Sequence, residues 1–231
     1  MNSPLGTRPG HPRPRFEVSG SRGASALAMW LVLAAVLIGF TSCSIQQAAP
    51  VKRTFLLEAR RPAKAGEPAA RSAGALRVRG TTVSSPFAGR GFVYRRSDWS
   101  YEADFYDEFL VAPRNLVDEQ VRRWLGEARM FAQVLEPSGK SEFAFSLEPS
   151  VTALFGDYRD RKAATATLEI QFALFDEQAT PRALLWERSY RREVPLAAPV
   201  PDRLVAGWSQ AFGEILGELE KDLSGAVSRH H

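Results

Sequence analysis

One side chain in this sequence is placed for covalent chemistry, the single cysteine. Cys43 follows Phe40-Thr41-Ser42 at the end of an uncharged apolar run that begins at Ala24, and four arginines (Arg8, Arg13, Arg15, Arg22) precede that run. A basic start, an apolar stretch of this length and small residues before a cut site are the parts of a secretory signal. A cysteine straight after the small pair adds what lipoprotein maturation needs. Its sulfur takes a diacylglycerol group, and a peptidase cuts the peptide bond before it. Phe40 stands where leucine is usual, while Thr41 and Ser42 fit the cleavage pocket. A second reading keeps the run as an uncleaved signal anchor, since about 20 apolar residues span a bilayer and basic flanks stay in the cytoplasm. A third leaves Cys43 an incidental thiol. The cysteine's position favours lipidation. Lipidation and anchoring alike put everything after Cys43 outside the cytoplasm, tied to a membrane.

Other chemistry is limited by what the chain lacks. Its three histidines are His11, His230 and His231, so the body between them has none. That removes Ser-His-Asp and Cys-His nucleophile systems and the usual His/Cys zinc sites. No catalytic residue, cofactor or metal site is expected. A carboxylate-dependent hydrolase is the enzyme class left open, and no spacing argues for it. A Gly89-Arg90-Gly91 step reads as a turn, because no helix pattern follows it as a phosphate loop requires.

A different chemistry, that of protein recognition, gathers between residues 94 and 106. Tyr94, Trp99, Tyr101, Phe105 and Tyr106 fall within 13 residues, interleaved with Asp98, Glu102, Asp104, Asp107 and Glu108. Rings mixed with charge are typical of interface hot regions, though half of them would equally serve a core. The acids read as a solvated loop rather than as paired carboxylates for acid/base work.

Removing a 42-residue leader from 231 residues leaves 189, one ordinary domain able to bury a core without staples. Taking the leader's four arginines and one glutamate from the chain's 30 basic and 26 acidic residues leaves 26 and 25. Most of the net charge of +4 therefore belongs to the leader, the rest of the chain keeping only +1, and no basic block suggests nucleic acid. One cysteine allows no disulfide framework of the kind common in small secreted domains.

The elements that would position these residues can be read in order. Residues 1–42 form the leader with a long basic start, 43–52 a lipidated tether, and 53–228 the folded domain. Thr54 to Glu58 opens as a strand, and Arg60 to Gly74 is a polar Ala/Pro/Gly-rich loop. Leu76 and Val78 alternate with Arg77 and Arg79 as in a half-buried strand, and Phe92 to Tyr94 is another. Pro113 begins a helix whose apolar face carries Val117, Val121, Trp124, Leu125 and Ala128. Strands follow at 131–135, from Phe143, and at 164–174. In the last, Ala164, Ala166, Leu168, Ile170, Phe172 and Leu174 face the core, with Thr165, Thr167, Glu169 and Gln171 toward water. Residues 184–194 form a final strand with Trp186, Tyr190 and Val194 on the face of Arg188 and Arg192. A closing helix from Asp202 presents Leu204, Trp208, Phe212, Ile215, Leu219 and Leu223. The sum is a single α+β domain, a mostly antiparallel sheet with two helices packed on one face.

From Phe92 to Leu125 the pattern resembles the ABC-type transport auxiliary lipoprotein family, which includes paraquat-inducible protein C-like lipoproteins. The resemblance rests on Tyr94-Arg95, Tyr106-Asp107 with Phe109, Val111-Ala112-Pro113 and the helix from Val117 to Leu125, with Thr54-Phe-Leu-Leu after the cysteine also fitting. It spans about residues 53–228, and the long leader, Phe40 and the 60–74 loop depart from it. It implies a periplasm-facing, non-catalytic lipoprotein of a mammalian-cell-entry (Mce) type ABC lipid transport system. Such a protein would dock on the periplasm-spanning Mce substrate-binding protein, in the arrangement of a homo-oligomeric ring if copies assemble, with no nucleic-acid partner. Ser44, rather than aspartate, after the acylated cysteine implies the outer membrane. A lipoprotein that activates a cell-wall synthase is the alternative.

Overall fold

In the computed structural model, residues 51–62 and 74–228 are described. Cys43, the leader, most of the tether and most of the 60–74 loop lie outside them. Strands β1 (Arg53–Phe55), β2 (Leu76–Val78), β3 (Thr82–Val83), β4 (Gly91–Arg95) and β5 (Tyr101–Phe109) come first, with a 3-10 turn at Ser85–Phe87. Helix α1 (Pro113–Ala128) separates them from β6 (Val134–Leu135), β7 (Phe145–Asp157), β8 (Thr165–Asp176) and β9 (Ala183–Pro195), and α2 (Pro201–Ser228) follows.

Strand β7 is the centre of the sheet. One edge pairs antiparallel with β8 along its whole length, from Phe145↔Asp176 to Asp157↔Thr165. The other is shared in turn by three short parallel strands: β2 beside Phe145 to Leu147, β3 beside Ser150 and Val151, and β4 beside Gly156 and Asp157. Beyond β8, β9 pairs antiparallel. Beyond β4, the antiparallel β5 and then the parallel β1 complete that side. The α+β fold and its two helices are as the sequence predicts, but the sheet is mixed rather than mostly antiparallel. Strands two to five residues long carry no alternation strong enough to reveal a parallel partner.

Helix α2 supplies the largest share of the core. Leu204, Trp208, Phe212, Ile215, Leu216, Leu219 and Leu223 are fully buried, as are Ala166, Leu168, Ile170 and Phe172 on β8. Each such large side chain contributes roughly 1.5–3 kcal/mol. The Trp208 indole N–H, which would be costly unpaired, donates to the carbonyls of Thr167 (3.1 Å) and Phe155 (3.3 Å). Its ring meets Phe92 edge-on at 5.1 Å and lies 5.5 Å from Phe109. On α1, Leu116, Val117, Val121, Trp124 and Leu125 are buried. The Trp124 indole donates to Glu220 of α2 at 2.9 Å, joining the two helices.

Three local expectations are corrected. Thr167 is not on a wet face: it is 0% exposed. It sits opposite Phe155, whose outer side is covered by Phe87 (5.8 Å, stacked) and Tyr101 (5.6 Å, edge-on). Arg77 is buried as well, beneath Phe143, because the 139–144 segment folds over that corner of the sheet. And residues 101–109 are a strand, not a loop. The predicted face of β9 does hold: Arg188 reaches Asp222 of α2 at 2.7 Å, the Tyr190 hydroxyl donates to the same carboxylate at 2.6 Å, and Arg192 pairs with Glu218.

Candidate docking surface

The predicted ring cluster lies on β4, β5 and the turn between them, and the fold divides it. Tyr94 goes inward. It is 5% exposed, stacked on Tyr158 at 5.0 Å, and its hydroxyl donates to Asp104 at 2.9 Å. Burial and the Asp104 carboxylate raise its pKa well above the ordinary tyrosine value. It is a core residue and offers no surface to a partner. Tyr101 is exposed on one side, while the other side of its ring seals Phe155 and Phe87.

Phe105 and Tyr106 go outward, and a bulge is the reason. Gly91 of β4 lies opposite Glu108, yet Val93 lies opposite Ala103, so β5 carries extra residues between those pairs. Such an insertion bends the strand and re-aims its side chains. Asp104 holds the bulge, accepting hydrogen bonds from the backbone N–H groups of Tyr106 (2.8 Å) and Asp107 (3.0 Å) and from the Tyr94 hydroxyl. Burial works against its charge, but these donors outweigh it and keep the carboxyl below the usual aspartate range. Only glycine fits across from it, since a Cβ at Gly91 would stand 2.4 Å from the Asp104 carbonyl oxygen. Phe105, thrown clear, is 74% exposed, with Tyr106 edge-on at 5.2 Å and the Lys52 ammonium 5.5 Å from its ring centre.

The edge that bears these rings is open. Strand β1 pairs only with Asp107 to Phe109, so the outer edge of residues 101–106 has no partner strand among the described residues. Val51 and Leu56, flanking β1, and Leu110 and Val111, just past β5, are also exposed, and Leu110 joins the two segments through its N–H to the Phe55 carbonyl at 2.8 Å. Sequence reading missed these four, which only the parallel β1–β5 pairing brings to one edge. Exposed apolar side chains gathered along a sheet edge mark interaction sites.

Trp99 stands apart. It occupies the turn between β4 and β5, where the Ser97 hydroxyl accepts from the N–H groups of Trp99 (3.3 Å) and Ser100 (3.1 Å). Its side chain is 95% exposed, while Asp98 beside it is held by Arg159 at 2.6 Å. A turn pinned on both sides thus presents an indole wholly to solvent.

A groove that begins at Leu56 has a volume of about 870 Å³ and is lined also by Pro62, Trp124, Ala206, Gly213 and Gly217 among others. It contains none of the predicted site residues. No group of histidine, cysteine, aspartate and glutamate able to hold a metal is found among the described residues, and no helix there is long and apolar enough to cross a membrane.

Removing Asp104 tests the bulge. Asp104→Ala is expected to cost about 2 kcal/mol, a charged acceptor losing its donors, and to blunt acid sensitivity. A carboxyl whose folded pKa is depressed adds stability that is complete above its unfolded pKa of about 4 and fades as pH falls through the folded value. Melting curves between about pH 5 and pH 2 should therefore fall less steeply for Asp104→Asn than for the natural chain.

No protein-family model matches the sequence, and no curated protein does. Solved structures do match. Protein XCC0632 from Xanthomonas campestris, of the DUF330 family, superposes with a TM-score of 0.63 at 15% identity, over 78% of this chain and 96% of its own. A crystal structure described as an uncharacterized protein gives 0.60 at 16% identity, over 75% and 99%. The hypothetical protein CT253 from Chlamydia trachomatis gives 0.47 at 9% identity, over 68% and 98%. The first two establish a shared fold.

Proposed function

We propose that this chain is a non-catalytic lipoprotein, held by a lipid on Cys43 and facing the periplasm near the outer membrane. Its role is to dock on the Mce-type substrate-binding protein of an ABC lipid transport system. The observation that carries the docking role is the pair of rings, Phe105 and Tyr106, displaced by the Asp104-held bulge onto an open sheet edge. A fold whose rigid sheet positions exposed rings is how many interfaces are built. The resemblance between Phe92 and Leu125 supplies the partner, and the bulge and the exposed turn fall inside that segment. The Phe40-Thr41-Ser42-Cys43 motif supplies the anchor.

The test is capture of a purified Mce-type substrate-binding protein from the same organism. Truncating a central ring costs roughly 2 kcal/mol, a thirtyfold loss of affinity. Phe105→Ala and Trp99→Ala should each weaken capture on that scale with melting temperatures unchanged, since neither ring is in the core. Tyr101→Ala should also lower the melting temperature, because it uncovers Phe155. Unaltered capture by both exposed-ring variants would place the docking surface elsewhere. Capture of a cell-wall synthase in place of the Mce protein would favour the activator reading.

A further inference from the structure

Arg77 is a buried cation without a carboxylate partner among the described residues. It is 7% exposed, and its guanidinium lies 4.0 Å from the centre of the Phe143 ring. Its Nη2 donates to the Ser141 carbonyl at 3.0 Å, while the buried Nε has no hydrogen-bond partner. The neighbouring charges are already matched. Glu177 takes Arg79 at 3.3 Å, Arg182 at 2.8 Å and the Ser146 hydroxyl, and Glu148 takes Arg182 at 2.6 Å. Those contacts, rather than its partial burial, hold the Glu177 carboxyl below the ordinary glutamate range. An unpaired buried charge is costly, so a counter-ion is wanted at this corner.

The geometry leaves room for one. A cavity of about 650 Å³ lies against Arg77, with Gly139, Lys140, Ser141, Glu142 and Phe143 also in its wall. Gly139 has φ +139°, a backbone state that side-chain-bearing residues rarely adopt, and its Cα hydrogen faces Arg77 Nη2, where a Cβ would lie 3.8 Å away. That turn sets Lys140, exposed and without an ion pair among the described residues, beside the buried arginine. Two acids share the wall, Glu177, already held by Arg79 and Arg182, and Glu142, which forms no ion pair among the described residues.

We propose that this cavity binds a phosphate group, with Arg77 as the buried anchor and Lys140 as a second cation at its mouth. A planar guanidinium donates two parallel N–H groups to such an oxyanion, and an ammonium adds a point charge. The phosphate has two sources, free phosphate or the headgroup of a phospholipid, and the site's chemistry is the same for both. This inference stands apart from the docking surface, and either can fail alone.

The experiment titrates the full chain in detergent with inorganic phosphate, then with a short-chain phosphatidylglycerol below its micelle concentration, against chloride at equal ionic strength. Millimolar binding of inorganic phosphate is expected, weakened about tenfold or more in Arg77→Gln and a few-fold in Lys140→Gln. In phosphate-free buffer Arg77→Gln should melt no lower than the natural chain, since the amide can keep the Ser141 bond while the uncompensated charge is gone. Lys140→Gln, an exposed change, keeps the test decisive if Arg77→Gln disturbs the fold. Tighter binding of the phosphatidylglycerol than of phosphate assigns a headgroup, and equal or weaker binding assigns a soluble phosphate. Phosphate binding no tighter than chloride, or unchanged in both variants, overturns the proposal.

Discussion

Aspartate in place of Thr167 is expected to unfold the domain about as severely as aspartate in place of Phe172. Both positions are 0% exposed, on opposite faces of β8. Phe172 packs 6.0 Å from Tyr190, edge-on, on the face covered by α2. Thr167 lies beside Phe155, under Phe87 and Tyr101. An aspartate at 167 lies across from Glu193, and one at 172 lies across from Arg188, which Asp222 already holds; each should cost about 4 kcal/mol or more, a large share of the 5–15 kcal/mol typical of a domain. Thr167→Val separates charge from shape. The Thr167 hydroxyl has no hydrogen-bond partner, so exchanging it for a methyl of the same size should leave the urea midpoint unchanged or raise it. A Thr167→Asp protein that melts like the natural chain would mean that the outer face at that end is wet.

Cys43→Ser is expected to abolish lipid attachment outright, because the diacylglycerol group is transferred to the cysteine sulfur. Growth with a fatty-acid analogue should label the natural chain and leave the serine variant unlabelled. The variant should also run larger, its leader uncut by the lipoprotein peptidase. The consequence for anchoring is large. Each buried methylene is worth about 0.8 kcal/mol, and stable attachment takes more than one chain. Labelling of the full-length serine variant would end the lipoprotein reading and return the Ala24 run to the role of signal anchor.

The candidate site was partly legible. Ring and acid density pointed to residues 94–106, and the structure does expose Trp99, Phe105 and Tyr106 there. Density could not say which rings turn inward. Tyr94 and Tyr106 differ in burial because one sits on the paired part of β4 and the other on a bulge, and a bulge depends on how two strands fail to match. Arg77 was equally hidden. Alternation with Leu76 and Val78 places it on the outer face, as observed, but whether that face is wet depends on residues 139–144 folding over it.

What the sequence determined by itself was each element with a long, clean period. The stripe of α2, the face of α1 and the inner face of β8 each rest on five or more apolar side chains in register, and burying them outweighs any local alternative. The leader's chemistry was local too, a matter of charge, apolar length and one cysteine. Only the tertiary structure decided the rest. Strands of two or three residues, such as β1, β2, β3 and β6, have no period of their own and exist because β5, β7 or a neighbour offers an edge. The parallel pairings, the second buried face at Phe155 and Thr167, and the uncompensated charge of Arg77 all arise between segments far apart in the chain. Such contacts form only once the sheet and its covering loops have closed around them, and their energy is in no single stretch of sequence.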